Sequence, residues 1–190
     1  MFEFDGRLYL IRHGLTQANI EGICLGNTEV AVVGNELERV RILVDRALSG
    51  ARLKYLISSS LLRALQTADQ LSEYFTIPER NIDTRFDDLN FGVFAGQHPM
   101  RILELQPEIY DHRGFFKYDV PLLGGESLHM LETRVTEGLK DVKGNAHCGN
   151  VLIVTHGSVI VMIHKILSGR DYYDFYPAVD NISHERVFRF

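Results

Sequence analysis

The sequence predicts an α/β fold with a mostly parallel central sheet and helices on both of its faces. Short apolar runs of β-type residues alternate along the chain with segments of helical periodicity, which is typical of parallel strands joined by helical crossovers. The 190 residues are 45% hydrophobic and 24% charged, the balance of a globular protein with a substantial core. The pattern leaves the strand order open.

The first half of the chain contains two predicted strands and two predicted helices. Residues 7–11 form an apolar run that stops abruptly before a glycine-containing turn, which favours a buried strand. Residues 35–38 have a capping-box pattern, with Asn at the N-cap and Glu at N3, and apolar residues continue at helical spacing to Leu48. Residues 55–57 are a second strand, and residues 61–74 are a helix with one apolar face.

The second half begins less regularly. Residues 87–125 contain three prolines, and we interpret them as an excursion over the active-site face with one short helix near residues 100–105. Further strands are predicted at 81–83, 151–154 and 186–190, and further helices at 126–142 and 158–167. No linker, repeat or low-complexity tract interrupts the sequence, so residues 1–190 are expected to form a single domain.

Charge and composition exclude several classes of partner. The net charge of −5 argues against nucleic acid or an anionic membrane as a partner, although a small anionic substrate needs only local cations. No apolar run reaches membrane-spanning length, and the acidic first residues do not resemble a signal peptide. Cys24 and Cys148 lie far apart, which predicts reduced thiols and, with the rest, a cytoplasmic location. The oligomeric state is left open.

Two predicted strands end in the same way. Residues 8–14 close in Arg12-His13-Gly14, and residues 152–157 close in Thr155-His156-Gly157. Ligands of open α/β sheets collect beyond the carboxyl ends of the strands. If the two strands are neighbours, His13 and His156 face one crevice, and the glycine after each brings backbone amides near a ligand. A third strand leads into a helix with Arg63 in its first turn, where the helix N-terminus also favours an anion.

These residues resemble the signature motifs of a known family, the histidine phosphatase superfamily of phosphoglycerate mutase-like proteins. Residues 10–19, Leu-Ile-Arg-His-Gly-Leu-Thr-Gln-Ala-Asn, resemble its first motif. Residues 63–68 (Arg-Ala-Leu-Gln-Thr-Ala) and 154–157 (Val-Thr-His-Gly) resemble the second and third. Residues 124–127, Gly-Gly-Glu-Ser, look like a segment common in its small phosphatase branch. The resemblance covers nearly the whole chain.

The resemblance implies a metal-independent phosphomonoester hydrolase that forms a phosphohistidine. His13 would be the nucleophile, Arg12 and Arg63 would hold phosphate oxygens, and His156 would donate a hydrogen bond as charge shifts in the transition state. The substrate would be a small phosphorylated metabolite. No metal or other cofactor is expected, because the two arginines and the second histidine supply positive charge, and no Asp/His cluster has metal-ligand spacing.

The loop after His13 and the helix after His156 are expected to complete the phosphate pocket. Asn19 and Thr16 would contribute from the first, and Gly157 from the second. The remaining histidines carry no motif context, so we expect them to be solvated or hydrogen-bonded: His98, His112, His129, His147, His164 and His184. For His98 and His112, contact with a substrate is the alternative.

The candidate proton donor departs from the family pattern. The family carries a glutamate just before a Phe-Gly pair, and the corresponding residue before Phe91-Gly92 is Asp88, which is one methylene shorter. We hypothesise that Asp88 still donates the proton. The alternatives are that Asp87 or Glu126 takes the role, or that turnover is slow. The loop at residues 22–27 also lacks an arginine that is common in relatives, a difference that bears on substrate choice.

Two other functions are alternatives to the phosphatase: a mutase would share its first half-reaction, and a regulatory domain would share its phosphate pocket. A phosphoglycerate mutase would return the phosphoryl group to a sugar acid, which requires a longer lid than residues 87–125 provide. A weakly active phosphate-binding regulatory domain would keep the pocket without efficient turnover, and its support is the shortened carboxylate at Asp88.

Overall fold

Five strands form one sheet within the part of the chain that the structure, a computed structural model, describes: residues 7–145, 149–175, 184 and 186–190. They are β1 (Leu8–Arg12), β2 (Leu53–Ser58), β3 (Glu79–Ile82), β4 (Asn150–Thr155) and β5 (Val187–Arg189). Their order across the sheet is β3-β2-β4-β1-β5, and β5 runs antiparallel to β1 whereas the other pairings are parallel. The predicted mostly parallel sheet is confirmed.

Helices connect and flank these strands. Those in the described residues are α1 (Gln17–Ile20), α2 (Glu36–Leu48), α3 (Leu62–Phe75), α4 (Met100–Leu105), α5 (Leu128–Asn145), α6 (Gly157–Ser168) and α7 (Tyr172–Phe175). The sequence predicts all of them except α1 and α7, which have four residues each and are too short to show a helical period. None of the described helices is long and apolar enough to cross a membrane.

The sheet carries an apolar layer on each face. In β1, Leu8 and Leu10 belong to one layer and Tyr9 and Ile11 to the other, and all four are fully buried. The Tyr9 layer is completed by residues of α2 and α3: Val40, Val44, Ala64, Ala68 and Leu71. The Leu8 layer is completed by residues of α5 and α6: Leu131, Val135, Ile160 and Ile163. Burial on both faces explains why β1 and β4 are continuously apolar.

The capping box predicted at the start of α2 does not form. The helix begins at Glu36 as predicted, but the Asn35 side chain makes no capping hydrogen bond. With φ −93° and ψ 19°, Asn35 lacks the extended backbone that lets an N-cap side chain reach the N–H groups of the first turn. The Glu36 carboxylate instead accepts from the Leu15 N–H at 3.4 Å and from Arg39 Nε at 2.9 Å.

The two ends of the 87–125 segment pack closely together. A Cβ added to Gly92, whose φ is +56°, would lie 2.1 Å from the Leu123 carbonyl oxygen. A Cβ on Gly125 would lie 2.2 Å from the Asn90 carbonyl oxygen. Glycine is therefore required where the Phe91-Gly92 turn meets the 124–127 motif.

The assignment of residues 1–190 to a single domain stays a prediction.

Candidate active site

The two strands that end in histidine are neighbours. β1 and β4 pair with Arg12 opposite Thr155, and the His13 N–H donates to the Thr155 carbonyl oxygen at 3.0 Å. The ring centroids of His13 and His156 lie 5.1 Å apart, and each residue is only 1% exposed. The structure thus brings the two histidines together at the carboxyl edge of the sheet, as the strand ends predict.

The His13 ring has a defined tautomer. Its Nδ1 lies 2.7 Å from the Gly14 carbonyl oxygen, which can only accept, and its Nε2 lies 3.2 Å from Arg63 Nε, which can only donate. Nδ1 therefore carries the proton and Nε2 the lone pair. Burial, reinforced by His156, Arg12 and Arg63, lowers the pKa of His13 well below its ordinary value, so the ring is neutral near pH 7.

Arg63 is fully buried, in the first turn of α3, and each guanidinium nitrogen has a partner. Nη1 donates to the Thr28 carbonyl oxygen at 2.9 Å, and Nη2 donates to the Gly26 carbonyl oxygen at 2.8 Å and to Asp88 Oδ2 at 3.1 Å. With Nε on His13, the guanidinium plane is fixed beside the nucleophile. A planar cation held in this way supplies fixed positive charge beside the nucleophile.

Arg12 and Gly157 meet at the start of α6. A Cβ on Gly157 would lie 3.6 Å from Arg12 Cζ, so the guanidinium packs against this glycine. Burial lowers the pKa of Arg12 to about 10, partly opposed by Asp88, and the side chain therefore remains a cation near pH 7. Gly157 is the first residue of the 12-residue helix α6, where backbone N–H groups favour an anion.

Asp88 lies among hydrogen-bond donors. Its Oδ1 accepts from Ser158 Oγ at 2.6 Å and from the Leu89 N–H at 2.9 Å, while its Oδ2 pairs with Arg63 and lies 3.9 Å from His156 Nδ1. Burial alone would raise the pKa of Asp88. His156, Arg63 and the Ser158 hydrogen bond outweigh it, and the net shift is downward. Asp88 is therefore a carboxylate before a substrate binds.

His156 is oriented by a chain of hydrogen bonds that leads away from the site. Its Nε2 lies 2.7 Å from Ser59 Oγ, and Ser59 Oγ donates to Asp87 Oδ1 at 2.7 Å. Because the serine proton is given to Asp87, His156 Nε2 must be the donor and Nδ1 carries the lone pair. Nδ1 is buried and has no hydrogen-bond partner among the described residues. Burial lowers the pKa of His156 to about 3 despite Asp88, so His156 can donate to a phosphate only after it gains a second proton.

Asn19 and Thr16 form the cap of α1. Thr16 Oγ1 accepts from the Asn19 N–H at 3.2 Å and donates to Asn19 Oδ1 at 3.0 Å, and Oδ1 also accepts from the Thr16 N–H. Thr16 is fully buried, whereas Asn19 reaches the cavity described below. Thr16 is thus placed to orient Asn19, and a direct phosphate contact by Thr16 stays a prediction.

A cavity of about 490 Å³ opens beside part of this group of residues, and His13, Arg63 and His156 are not among those that line it. Arg12, Asn19, Asp88, Gly157 and Ser158 form its polar part, and Arg12 and Asp88 are the charged residues of its described lining. The remaining wall is mainly apolar and aromatic: Ile23, Leu25, Phe91, Ile102, Tyr110 and Phe116. Among the described residues, no group of three or more His, Cys, Asp or Glu side chains is arranged to hold a metal ion.

The two alternative proton donors are engaged outside this cavity. Asp87 accepts from Ser59 Oγ, from the Ser60 N–H and from Ser60 Oγ, all within 2.8 Å, and so supports the loop that leads into α3. Glu126 pairs with Arg134, with Oε1 2.6 Å from Nη2 and Oε2 3.1 Å from Nε. Neither carboxylate contributes to the lining of the cavity. Of the three candidates, Asp88 alone combines a carboxylate with access to it.

The sequence analysis assigns no role in the site to two residues that the structure places there, Ser158 and His184. Ser158 follows the third motif directly, and its position in the first turn of α6 could have indicated a role at the sheet edge. His184 has no such signal. It is not solvated, because it is 7% exposed and its ring lies 5.4 Å from that of His13, while its Nε2 has no partner among the described residues. His147 and Cys148 lie outside the described residues.

Known proteins with this fold and similar sequences include phosphatases and mutase-like proteins. A Hydrogenobacter thermophilus protein provisionally named phosphoserine phosphatase 2 is 30% identical over 163 residues, which span 86% of this chain and 79% of the relative. Phosphoglycerate mutase-like protein 4 of Arabidopsis thaliana is 27% identical over 83% of this chain and 69% of its own. A crystal structure from Escherichia coli K-12, provisionally described as an alpha-ribazole-5′-P phosphatase, superposes with a TM-score of 0.75 at 26% identity, covering 90% of this chain and 83% of its own.

The family itself is established by a match along almost the entire chain. The model of the histidine phosphatase superfamily (branch 1) matches residues 8–187, a span that begins with β1 and ends in β5. It includes His13, Arg63, Asp88 and His156, the four residues that the structure gathers at one edge of the sheet. The chain is therefore an enzyme of the phosphatase class and belongs to branch 1 of the histidine phosphatase superfamily.

Proposed function

We propose that this enzyme hydrolyses phosphomonoesters in two steps, through a phosphohistidine on Nε2 of His13. The observation that carries the proposal is the state of the His13 ring. It is neutral, its Nδ1 proton is held by the Gly14 carbonyl oxygen, and its Nε2 lone pair lies beside the Arg63 guanidinium. A neutral imidazole nitrogen next to a fixed cation is suited to attack a phosphorus atom.

In the first step His13 Nε2 attacks phosphorus in line with the ester oxygen, and the bond from phosphorus to that oxygen breaks. Arg12 and Arg63 neutralise the equatorial oxygens, with Asn19 and the Gly157 N–H as further contacts. Asp88 gives its proton to the departing oxygen, which leaves as an alcohol.

In the second step a water molecule attacks the phosphohistidine. Asp88, now a carboxylate, takes a proton from this water as the new phosphorus–oxygen bond forms. The phosphorus–nitrogen bond then breaks, inorganic phosphate leaves, and the lone pair returns to Nε2 of His13.

The acid step needs a proton that neither Asp88 nor His156 carries before a substrate binds. Asp88 is ionised and His156 is neutral before substrate binds, because the pKa of each is lowered. A phosphate dianion placed against Arg12 and Arg63 adds negative charge beside both residues and competes for their cations. Both pKa values then rise, so we infer that substrate binding brings a proton to Asp88, to His156 or to both.

The cavity favours an uncharged alcohol with an apolar or aromatic part. Arg12 is the cation of its described lining, and the phosphate would use it. A carboxylate on the substrate would therefore face Phe91, Ile102 and Tyr110 without a partner, and a charge desolvated in this way costs binding energy. Aromatic phosphate esters and sugar phosphates that carry an aromatic group fit these walls better than phosphoserine or phosphoglycerate.

Rapid chemical quench tests the mechanism. We expect an acid-labile, base-stable phosphoenzyme on the wild-type protein and none on His13→Ala. A phosphoenzyme that persists in His13→Ala would assign the nucleophile elsewhere. Absence of any phosphoenzyme or phosphate release in the wild type would favour the regulatory phosphate-binding alternative.

A panel of phosphate esters tests the substrate class. We expect kcat/KM for an aryl phosphate with an uncharged aryl group to exceed that for 3-phosphoglycerate by about tenfold or more. A tenfold difference corresponds to about 1.4 kcal/mol, which an unpaired carboxylate in the apolar part of the cavity would cost. Product analysis with 3-phosphoglycerate separates the rival reaction: free phosphate supports hydrolysis, whereas 2-phosphoglycerate supports a mutase.

A further inference from the structure

We propose that His184 is a positioning residue for the nucleophile, which holds the His13 ring against His156 so that Nε2 stays directed at the phosphorus atom. The inference rests on the nucleophilic role proposed for His13. It assigns a task to a residue outside the three motifs.

The sheet order places His184 on the open side of the nucleophile. β1 lies between β4 and β5, and His156 follows β4 whereas His184 precedes β5. The ladder of β1 and β5 ends at the pair Ile11–Val187. His13 lies two residues beyond that pair on β1, and His184 lies three residues before it on the other strand. The two flanking histidines therefore reach His13 from opposite sides of β1.

The contact is between rings. The centroids of His13 and His184 lie 5.4 Å apart with the planes at 70°, an edge-on arrangement. His156 lies against the same His13 ring at 5.1 Å and 53°. Gly14 and Arg63 fix the two nitrogens of His13, and two neighbouring imidazoles fix its plane. Rotation of the ring about its own bonds would require one of these neighbours to move.

A purely structural histidine would be expected to use its polar atoms. His184 is 7% exposed, and its Nε2 has no hydrogen-bond partner among the described residues. An unpaired polar atom at this depth is uncommon and destabilising unless the site uses the residue. The contact that the structure gives this ring among the described residues is with the ring of His13.

The neutral charge of His184 suits a neighbour of this nucleophile. Attack on phosphorus leaves His13 with a proton on Nδ1 and phosphorus on Nε2, so the ring becomes positively charged. A second cation at ring-contact distance would oppose that change. Burial, together with Arg12 and Arg39, lowers the pKa of His184 to about 3, so it remains neutral near pH 7.

Three variants test the proposal by single-turnover measurement of phosphoenzyme formation on an aryl phosphate. His184→Ala removes the ring and is expected to slow formation by roughly 10- to 100-fold while changing KM by less than about twofold, because misplacement of a reacting group lowers the rate of the chemical step. His184→Phe restores a ring of similar shape without nitrogen atoms and is expected to recover most of the rate. His164→Ala is the matched control, because His164 packs edge-on against Phe188 and Phe190 at β5, away from the cavity, and wild-type rates are expected.

The outcomes separate this proposal from the function on which it rests. His184→Ala with the wild-type rate of formation, or a folded His184→Phe as slow as the alanine variant, overturns the positioning role and leaves His13 chemistry intact. Phosphoenzyme in His13→Ala overturns the proposed function itself. Thermal unfolding is measured for each variant. If His184→Ala does not fold, His184→Phe alone is decisive: a near-wild-type rate supports positioning by the ring, and a slow rate shows that a nitrogen atom of His184 is needed instead.

Discussion

Asp88 Oδ2 lies 3.1 Å from Arg63 Nη2, so the candidate proton donor and a candidate phosphate-binding group form one ion pair. Before a phosphate binds, the pair favours the carboxylate form of Asp88, which cannot donate a proton. A phosphate that binds Arg63 weakens the pair and raises the pKa of Asp88. The same contact therefore links substrate binding to protonation of Asp88, and this protonation can be measured as proton uptake when phosphate binds.

Phosphate binding is expected to take up protons from solution. The pKa values of Asp88 and His156 are lowered in the free enzyme, so both are deprotonated near pH 7 and both gain affinity for protons when a dianion binds. By linkage, phosphate affinity rises as pH falls. Calorimetric titration with phosphate at mildly alkaline pH, where the ligand is already a dianion, should give enthalpies that depend on the ionisation heat of the buffer. Enthalpies independent of the buffer would contradict the coupling.

Asp88→Asn is expected to affect substrates according to their leaving group. Loss of a general acid costs roughly 10²–10⁴-fold in kcat when the departing alkoxide is basic, and much less when the leaving group is a stabilised phenolate. The measurement compares an alkyl phosphate with a nitrophenyl phosphate. Asp88→Glu, which keeps the carboxyl group and adds one methylene, is the matched control and should retain the acid function. An equal loss on both substrates would remove Asp88 from the acid role.

Glu126→Gln is expected to lower stability rather than change the chemistry. The carboxylate holds Arg134, whose guanidinium also donates to the carbonyl oxygens of Arg85, Asp87 and Asp88. Weakening this anchor should cost about 1–3 kcal/mol of unfolding free energy, as measured by denaturant titration. The ratio of rates on the two leaving groups should stay at the wild-type value. A changed ratio would return Glu126 to the list of proton donors.

The protein is expected to lose stability as pH falls below about 6.5, the ordinary pKa of histidine. Burial lowers the folded-state pKa of His156 and His184 to about 3, and that of His13 is also well below normal. Between the folded and unfolded pKa values the unfolded chain binds more protons, so each such histidine removes about 1.4 kcal/mol per pH unit. Denaturant midpoints measured between neutral and acidic pH check the sign. A stability that rises on acidification would contradict the buried neutral state.

Much of this architecture follows from local sequence signals. Strand β4 is visible as a continuous apolar run, and helices α3 and α6 are long enough to show a helical period. The strand ends at His13 and His156 predict a shared crevice. Arg63 could be placed in the first turn of its helix from the same pattern. These features depend on residues that lie close together in the sequence.

The unpredicted features depend on distant contacts. The position of His184 follows from the antiparallel pairing of β5 with β1, and no short pattern around residue 184 encodes that pairing. The assignment of the proton donor to Asp88 likewise depends on distant contacts, because Asp87 and Glu126 are engaged by partners outside the cavity. The missing cap at Asn35 is a backbone conformation that the residue types alone do not specify.

Ile23→Arg is expected to change substrate choice. Ile23 lines the apolar side of the cavity in the 22–27 loop, and it is partly exposed, so a longer side chain can be accommodated. A guanidinium there would give a substrate carboxylate the partner that the described wall lacks. We expect the ratio of kcat/KM for 3-phosphoglycerate to that for a neutral aryl phosphate to rise by about tenfold, with Ile23→Met, neutral and of similar length, leaving the ratio unchanged. If the arginine and methionine variants shift the ratio alike, the selectivity arises from shape rather than charge, and the proposed exclusion of carboxylated substrates loses its basis.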